Sequence, residues 1–250
     1  MITEKLTNLN IDEKEFERVF TPAVRKVSQV LRKYGFDVRV VGGAVRDFLR
    51  GQKPRDIDFA TDADPGEIIY AFNQEGIQHD AKGIGHGTVK AVIGDEKVDV
   101  TSIAYKLEMH DGKLRVISGQ DWEQDANDRD LSINSMSIDS NGTLYDYTDG
   151  LADLRQGVVR MLPYTRSKLA KDPHLIMRWF KALGYFDRPR WPRQDYDAIK
   201  RNMHLLDTIR TEEKTDRELS SIMRSANGQK ILQIMCHMGA DRYLGINCTF

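Results

Sequence analysis

Hydrophobic and polar positions follow two different patterns along this chain. In residues 14–34, apolar side chains recur every three or four positions, which predicts a helix that stops at Gly35. A second helix is expected from Asp64-Pro65 to about Gly76, because Asp is a good N-cap and Pro a good first helical residue. Short runs, some of them alternating apolar and polar, predict strands at 37–41, 56–61, 87–93 and 97–103.

The pattern changes near residue 150. Before it, glycine-containing turns are expected at Gly94-Asp95-Glu96, Asp111-Gly112 and Asn141-Gly142. After it, strand signals are few, and helical spacing predicts helices at 166–184, 194–207, 212–226 and 228–239. We therefore expect an α+β fold in two domains. Residues 1–150 would form a small mixed β-sheet flanked by helices, and residues 151–250 an all-helical domain.

Composition places the 250-residue chain among soluble globular proteins. Hydrophobic residues make up 40% and charged residues 30%, which is too apolar for a disordered chain. No apolar run approaches the roughly 18 residues of a membrane helix, and MITEKLTNLN lacks the apolar core of a signal peptide. Cys236 and Cys248 form no CxxC pair, so neither a disulfide framework nor a structural zinc site is expected. These features predict a cytoplasmic protein.

The near-neutral net charge of −1 hides an uneven distribution. Residues 1–150 hold 19 Lys and Arg against 27 Asp and Glu, whereas residues 151–250 hold 18 against 11. The two parts therefore carry net charges of −8 and +7. This split fits a metal-binding part followed by a part that binds a polyanion, or it reflects chance and solvated helix faces.

The central candidate for chemistry is the pair Asp56 and Asp58 in the predicted strand 56–61. Side chains two positions apart on a strand share a face, so the two carboxylates would lie close together and repel each other. Mg²⁺ would relieve that repulsion, and paired carboxylates of this kind hold metal ions in phosphoryl-transfer sites. A D-x-D sequence alone is most often an exposed strand.

The neighbouring Gly42-Gly43 turn adds to this interpretation. Paired glycines at the start of a helix let backbone N–H groups approach an anion, and Arg46 lies in the first turn of that helix. The same residues are compatible with an ordinary strand–helix turn. Neither a P-loop nor a dinucleotide-binding glycine motif is present.

Two further residues have open roles. Asp99 alternates with valines, so it either completes a metal triad or faces solvent. Arg129, in the sequence Asp128-Arg129-Asp130, either binds phosphate or pairs with Asp130.

Taken together, these motifs resemble the class II tRNA nucleotidyltransferase/poly(A) polymerase family, within the DNA polymerase β-type nucleotidyltransferase superfamily. GGAVRDFLRGQKPRDIDFAT resembles the family's GGxVRDxLLG…DxDxxT, and DRDLSINSMSID resembles RRDFTINAMxxD. YDYTDGLADLRQGVVRML is similar to the hinge between the catalytic head and the helical neck, and KDPHLIMRWFKALGYF to the neck helix. The resemblance covers about residues 23–240.

The resemblance implies a catalytic head (1–150) and a helical neck (151–250) that adds CMP and AMP from CTP and ATP to an RNA 3′ end. It implies Mg²⁺ as cofactor, with RNA, most plausibly tRNA, and NTPs as partners. By this resemblance Asp56 and Asp58 would be catalytic and bind metal, whereas Asp99 is the candidate third ligand from the strand pattern alone. Nucleotide-binding positions would be Gly42, Gly43, Arg46, Arg129, Asp172, Arg178 and Lys181.

A basic, aromatic loop in the rear half is a candidate RNA contact. The residues expected to hold RNA phosphates and bases are Arg188, Arg190, Trp191 and Arg193. The alternative is an exposed turn without a ligand.

Three positions depart from the family pattern. Asp128 replaces the first Arg of the RRD motif, and Lys171 and Leu175 replace the Glu and Arg of EDxxR, which reads the base. Leu175 carries no hydrogen-bond donor, so it cannot pair with a base edge. The alternatives are therefore a poly(A) polymerase, an enzyme that adds only C or only A, and a catalytically silent RNA-binding module.

Overall fold

The computed structural model describes residues 2–5, 16–54, 56–110, 113–118 and 121–248. The expected Asp111-Gly112 turn lies outside these ranges. The chain divides into two compact units. The first comprises Met1–Ala126 and Asn134–Thr148, and the second comprises Asn127–Ile133 and Asp149–Phe250. The expected α+β fold is confirmed.

The first unit is built on a mixed sheet. In the described residues its eight strands lie in the order β1-β10-β9-β2-β3-β6-β5-β4, of which β3 and β6 pair in parallel. The hairpin β7–β8 is separate. The strands are β1 (Ile2–Lys5), β2 (Val38–Val41), β3 (Asp58–Thr61), β4 (Gln78–Asp80), β5 (Thr88–Ile93), β6 (Glu96–Ser102), β7 (Tyr105–His110), β8 (Lys113–Ser118), β9 (Ser137–Asp139) and β10 (Thr143–Asp146).

The helices of this unit start in different ways, and at two of them a side chain caps the first turn. They are α1 (Pro22–Lys33), α2 (Gly43–Leu49), α3 (Pro65–Gln74) and α4 (Trp122–Asn127), the last of which ends in the second unit. At α3, Asp64 and Glu67 form the reciprocal hydrogen bonds of a capping box. The first predicted helix was too long at its start, because Thr21 caps α1 at Pro22 and accepts a hydrogen bond from the Val24 backbone N–H.

The second unit is helical. Its helices are α5 (Gly150–Gln156), α6 (Pro163–Lys168), α7 (His174–Leu183), α8 (Arg193–Asn202), α9 (Leu206–Ile209), α10 (Glu213–Arg224), α11 (Gly228–Met238) and α12 (Asp241–Leu244). The helix predicted over 166–184 is in fact two helices, since Pro173 cannot donate a backbone hydrogen bond and becomes the N-cap of α7. Trp179 and Phe180 are fully buried in the core of this unit.

Two further observations concern the chain as a whole. Cys236 in α11 and Cys248 are joined by a disulfide, with their Cα atoms 6.0 Å apart. The sequence, from which no disulfide framework was expected, did not predict this bond, because it depends on the turns at Gly239 and Gly245 that bring the chain back to α11. Within the described ranges, no helix combines the length and apolar content of a membrane-spanning segment.

Candidate active site

A row of charged side chains crosses four neighbouring strands of the sheet. Asp80 of β4 is in register with Lys90 of β5, Lys90 with Asp99 of β6, and Asp99 with Asp58 of β3. Residues that pair across strands point to the same face. The residues between them, such as Val89 and Val100, are buried on the opposite face. The row therefore lies on the polar face of the sheet.

The charges within this row are partly compensated. Lys90 forms an ion pair with Asp99, and both side chains are about two-fifths exposed. Asp80 accepts hydrogen bonds from the backbone of Lys82 and pairs with its ammonium group, so the pKa of Asp80 lies below its ordinary value. The charge of Lys90 acts in the same direction. Three carboxylates thus share the row with the single ammonium group of Lys90.

The sequence predicted that Asp56 and Asp58 lie on one strand, but in the structure they do not. Strand β3 begins only at Asp58, and Asp56 lies in an exposed bend before it. The partner strand sets this limit: Asp58 pairs with Val41, the last residue of β2, and the chain then leaves the sheet at Gly42. Side chains two positions apart share a face only within a strand, so this rule does not apply to Asp56 and Asp58.

The Gly42-Gly43 turn lies directly beside the carboxylate row. Val41 pairs with Asp58, so the turn follows immediately after the residue opposite that carboxylate. Gly42 has a φ of 75°, a conformation that glycine adopts without strain, and it is the N-cap of α2. A Cβ added at Gly43 would lie 3.3 Å from the nearest guanidinium nitrogen of Arg46. The Arg46 guanidinium therefore lies directly over Gly43.

Arg46 is buried and held in place from two sides. Its guanidinium donates to the Asp47 carboxylate at 2.9 Å and to the Asn134 side-chain oxygen at 2.7 Å. Only 7% of the residue is exposed. These bonds fix one orientation of the guanidinium, a favourable arrangement for a group that would contact a phosphate.

The donor set of the first unit fits a hard divalent cation. Asp58 is exposed and Asp99 half-buried, and their register places both carboxylates on one face of adjacent strands. Carboxylate oxygens are the protein ligands that Mg²⁺ prefers. Among the described residues, however, no group of three or more His, Cys, Asp or Glu side chains is close enough to hold a metal ion.

The second unit carries the segment with Arg129. The Arg129 carbonyl accepts a hydrogen bond from the Thr165 hydroxyl at 3.0 Å, and the Asp130 carbonyl accepts one from the Leu162 backbone at 3.2 Å. The Asp130 carboxylate pairs with Arg178 of α7 at 2.8 Å. Asp130 therefore has Arg178 as a partner, a pairing that the sequence did not reveal.

A buried carboxylate secures the same segment. Asp153 is 2% exposed and accepts hydrogen bonds from the Ser132 hydroxyl at 2.5 Å and from the Arg160 guanidinium at 2.7 Å. The Ser132 backbone N–H also donates to the Arg160 carbonyl at 3.0 Å. These contacts attach residues 127–133 to the helical unit.

Helix α7 presents a narrow polar side. Asp172 precedes the helix and accepts a hydrogen bond from the His174 backbone at 3.1 Å. Arg178 is half-exposed, and Lys181 pairs with Glu218 of α10 at 2.9 Å. Leu175 is only 9% exposed and contributes to the core. The position expected to read a base thus carries a packed aliphatic side chain.

The basic loop near residue 190 is tied to the unit by its backbone. Arg190 and Gly157–Val159 exchange backbone hydrogen bonds of 2.8 Å. Trp191 is half-buried and packs edge-on against Trp179, with ring centroids 5.8 Å apart. Arg193 is exposed and pairs with Asp197. Arg188 and Arg190 are exposed as well. The arginines of this loop therefore reach solvent, whereas Trp191 anchors it.

Two residues of the first unit, Lys90 and Arg39, were not predicted from the sequence. Lys90 could have been found by counting back from the two-residue turn Gly94-Asp95, which sets Lys90 opposite Asp99. Arg39, which is 6% exposed, lies 3.9 Å from the ring centre of Trp122 and 3.7 Å from that of Tyr145. No local signal predicts this stacking, because the three residues are far apart in the sequence.

Comparison with known proteins shows which family and which relatives this chain resembles. Residues 38–160 match the poly A polymerase head domain family, a range that contains the Gly42-Gly43 turn and the carboxylate row. Over 244 residues the chain is 32% identical to the mitochondrial CCA tRNA nucleotidyltransferase 1 of Danio rerio, covering 96% of this chain and 56% of that relative. Residues 38–160 belong to the poly A polymerase head domain family, and the chain as a whole resembles CCA tRNA nucleotidyltransferases. The resemblance drawn from its motifs is therefore confirmed.

Other members of the family agree with this assignment. The CCA-adding enzyme of Bacillus licheniformis is 31% identical over 218 residues, covering 86% of this chain and 53% of the relative. The fold matches the CCA-adding enzyme of Bacillus stearothermophilus in complex with CTP, with a TM-score of 0.78 and 24% identity over 93% of this chain and 54% of that one. The Thermotoga maritima enzyme complexed with tRNA matches with a TM-score of 0.74 and 22% identity, covering 97% and 56%.

The chain spans about half the length of the curated relatives it matches. Nucleotidyltransferases of this family are generally metal-dependent. The carboxylate row, which lies within residues 38–160, is compatible with that dependence.

Proposed function

We propose that the protein is a Mg²⁺-dependent nucleotidyltransferase that adds CMP and AMP, from CTP and ATP, to the 3′ end of RNA. The RNA we propose is tRNA that lacks all or part of its CCA end, and the site of action is the cytoplasm. The observation that carries the proposal is the register of Asp58 with Asp99 beside the Gly42-Gly43 turn. Relatives named CCA tRNA nucleotidyltransferase, and similar structures with CTP, ATP and tRNA, support it.

In the proposed reaction the RNA 3′-hydroxyl attacks the α-phosphate of the nucleotide, and pyrophosphate leaves. Asp56 and Asp58, with Asp99 as a third candidate, would hold the metal ions. When bound, these ions would lower the pKa of the attacking hydroxyl and neutralise charge on the leaving group. The backbone N–H groups of the Gly42-Gly43 turn and the fixed guanidinium of Arg46 would orient the triphosphate.

The second unit would supply contacts to the nucleotide and the RNA. The residues proposed for the nucleotide are Arg129, Asp172, Arg178 and Lys181, and those proposed for RNA are Arg188, Arg190, Trp191 and Arg193. The exposed arginines suit phosphate contacts. The packing of Trp191 against Trp179 suits a supporting role in shaping the loop better than free stacking on a base.

The proposal predicts the effect of removing one carboxylate. Asp58→Asn keeps the shape of the side chain but removes its charge, so incorporation of labelled CTP and ATP into 3′-truncated tRNA should fall at least about a hundred-fold. Asp56→Asn should act in the same direction. Asp95→Asn, in the exposed turn between β5 and β6, is the matched control and should retain activity. Circular dichroism checks that each variant is folded. Full activity of Asp58→Asn would contradict the metal assignment.

Burial of Leu175 favours a second candidate, an enzyme that adds only C or only A, or that adds a run of A. Single-nucleotide incorporation on tRNAs ending before, within and after CCA separates these activities. If no nucleotide is incorporated and calorimetry detects no Mg²⁺-dependent NTP binding, the protein is instead a catalytically silent RNA-binding module.

A further inference from the structure

Lys90 lies at the centre of the carboxylate row that the proposed function assigns to metal binding. Its strand neighbours in register are Asp80 on one side and Asp99 on the other, and Asp58 follows beyond Asp99. Its ammonium group forms an ion pair with Asp99. Lys90 is thus a cation placed on the same polar face where a metal ion would have to bind.

The contact has a direct consequence for the carboxylates. In the protein without metal, the charge of Lys90 offsets the repulsion between Asp58 and Asp99, whose strands run about 5 Å apart. A metal ion that approached these carboxylates would take over the same compensating role. The ammonium group and the metal ion would therefore compete for the Asp99 carboxylate.

We propose that Lys90 is a built-in counter-cation of the candidate metal site, which holds Asp99 in the metal-free protein and competes with the divalent ion for it. Lys90 is a positioning residue in this scheme, since it acts through Asp99 rather than on the nucleotide. The inference rests on the proposed function, because it takes Asp58 and Asp99 as metal ligands.

Binding of Mn²⁺ to the full chain, followed by electron paramagnetic resonance without nucleotide or RNA, tests this inference. Lys90→Gln removes the competing cation and should bind Mn²⁺ about three-fold more tightly, the scale of a partly exposed ion pair. Lys90→Arg keeps the cation and should remain close to the wild type. Lys97→Gln removes a charge from the same strand face two positions from Asp99 and should change the affinity less.

The decisive comparison is made in an Asp99→Asn background. Competition for Asp99 predicts that Lys90→Gln no longer increases Mn²⁺ affinity there, whereas a general electrostatic effect would persist. An equal gain in both backgrounds, or no gain with Asp99 present, would overturn the inference.

Asp58→Asn tests the site itself and should weaken Mn²⁺ binding at least ten-fold. If Asp58→Asn abolishes binding while Lys90→Gln has no effect, only the role of Lys90 fails. If Asp58→Asn binds Mn²⁺ like the wild type, the metal site and the inference both fail.

Discussion

At the scale of single residues, Leu175 is the substitution with the clearest consequence for specificity. The motif resemblance aligns it with an arginine expected to read the base, and it is 9% exposed in α7. Leu175→Arg would add hydrogen-bond donors, so we predict that it sharpens the choice of C and A over U and G about five-fold. Because the position is packed, we also expect a loss of about 1–3 kcal/mol of stability. Competitive incorporation of the four nucleotides and denaturant unfolding measure the two effects.

The control at this position is Leu175→Met, which keeps the side-chain volume and adds no strong donor. It should leave nucleotide selection unchanged and cost less than about 1.5 kcal/mol. If Leu175→Arg folds and selects nucleotides as the wild type does, base selection depends on other residues.

At the scale of elements, the short helix α4 depends on one stacked arrangement. Arg39 of β2 stacks against Trp122 of α4 and against Tyr145 of β10, and the Asp37 carboxylate fixes its guanidinium. Trp122 also packs against Val41 and its buried neighbours. We predict that Trp122→Ala lowers the free energy of unfolding by about 2–3 kcal/mol and reduces amide protection in α4. Hydrogen exchange with mass spectrometry measures the protection.

Trp122→Phe is the matched variant, because it retains an aromatic face for Arg39. We expect it to preserve most of the protection in α4 and to lose no more than about 1 kcal/mol. Equal protection in Trp122→Ala and the wild type would show that α4 does not depend on this stacking.

At the scale of the whole molecule, a buried carboxylate in the second unit couples stability to pH. Asp195 is fully buried and accepts hydrogen bonds from the Met161 backbone and from Arg166, both at 2.8 Å. Burial nevertheless raises the pKa of Asp195 above its ordinary value. The folded protein therefore binds this proton more tightly than the unfolded chain, and the stabilisation is lost as pH rises through the raised pKa.

The predicted result is a pH-dependent difference between the wild type and Asp195→Asn, which cannot titrate. From about pH 4 upward, the free energy of unfolding of the wild type should fall relative to that of the variant. Urea unfolding at several pH values measures this difference. If the free energy of unfolding of the wild type minus that of the variant stays constant or rises with pH, the raised pKa is contradicted.

The sequence alone determined the features that depend on neighbours along the chain. Asp64-Pro65 predicted the start of α3. The turn predicted at Gly94-Asp95-Glu96 does join β5 to β6, although Glu96 is already the first residue of β6. The spaced motifs predicted the family, since they extend over most of the chain. The residue types at Gly42-Gly43, Asp56 and Asp58 predicted a phosphate and metal site, which stays a prediction. These signals are local, because capping, turn geometry and motif spacing depend on only a few consecutive residues.

The tertiary structure alone decided which distant residues meet. Parallel pairing of β3 with β6 places Asp58 beside Asp99, and antiparallel pairing of β6 with β5 places Lys90 on the other side of Asp99. Residues 127–133 belong to the helical unit, to which backbone hydrogen bonds join them. The sequence had predicted them in the first domain, because they precede residue 150. Burial of Leu175 is likewise set by the packing of the helices. The physical reason is the same in each case: strand partners and packed faces are chosen by contacts between distant segments, which no local pattern specifies.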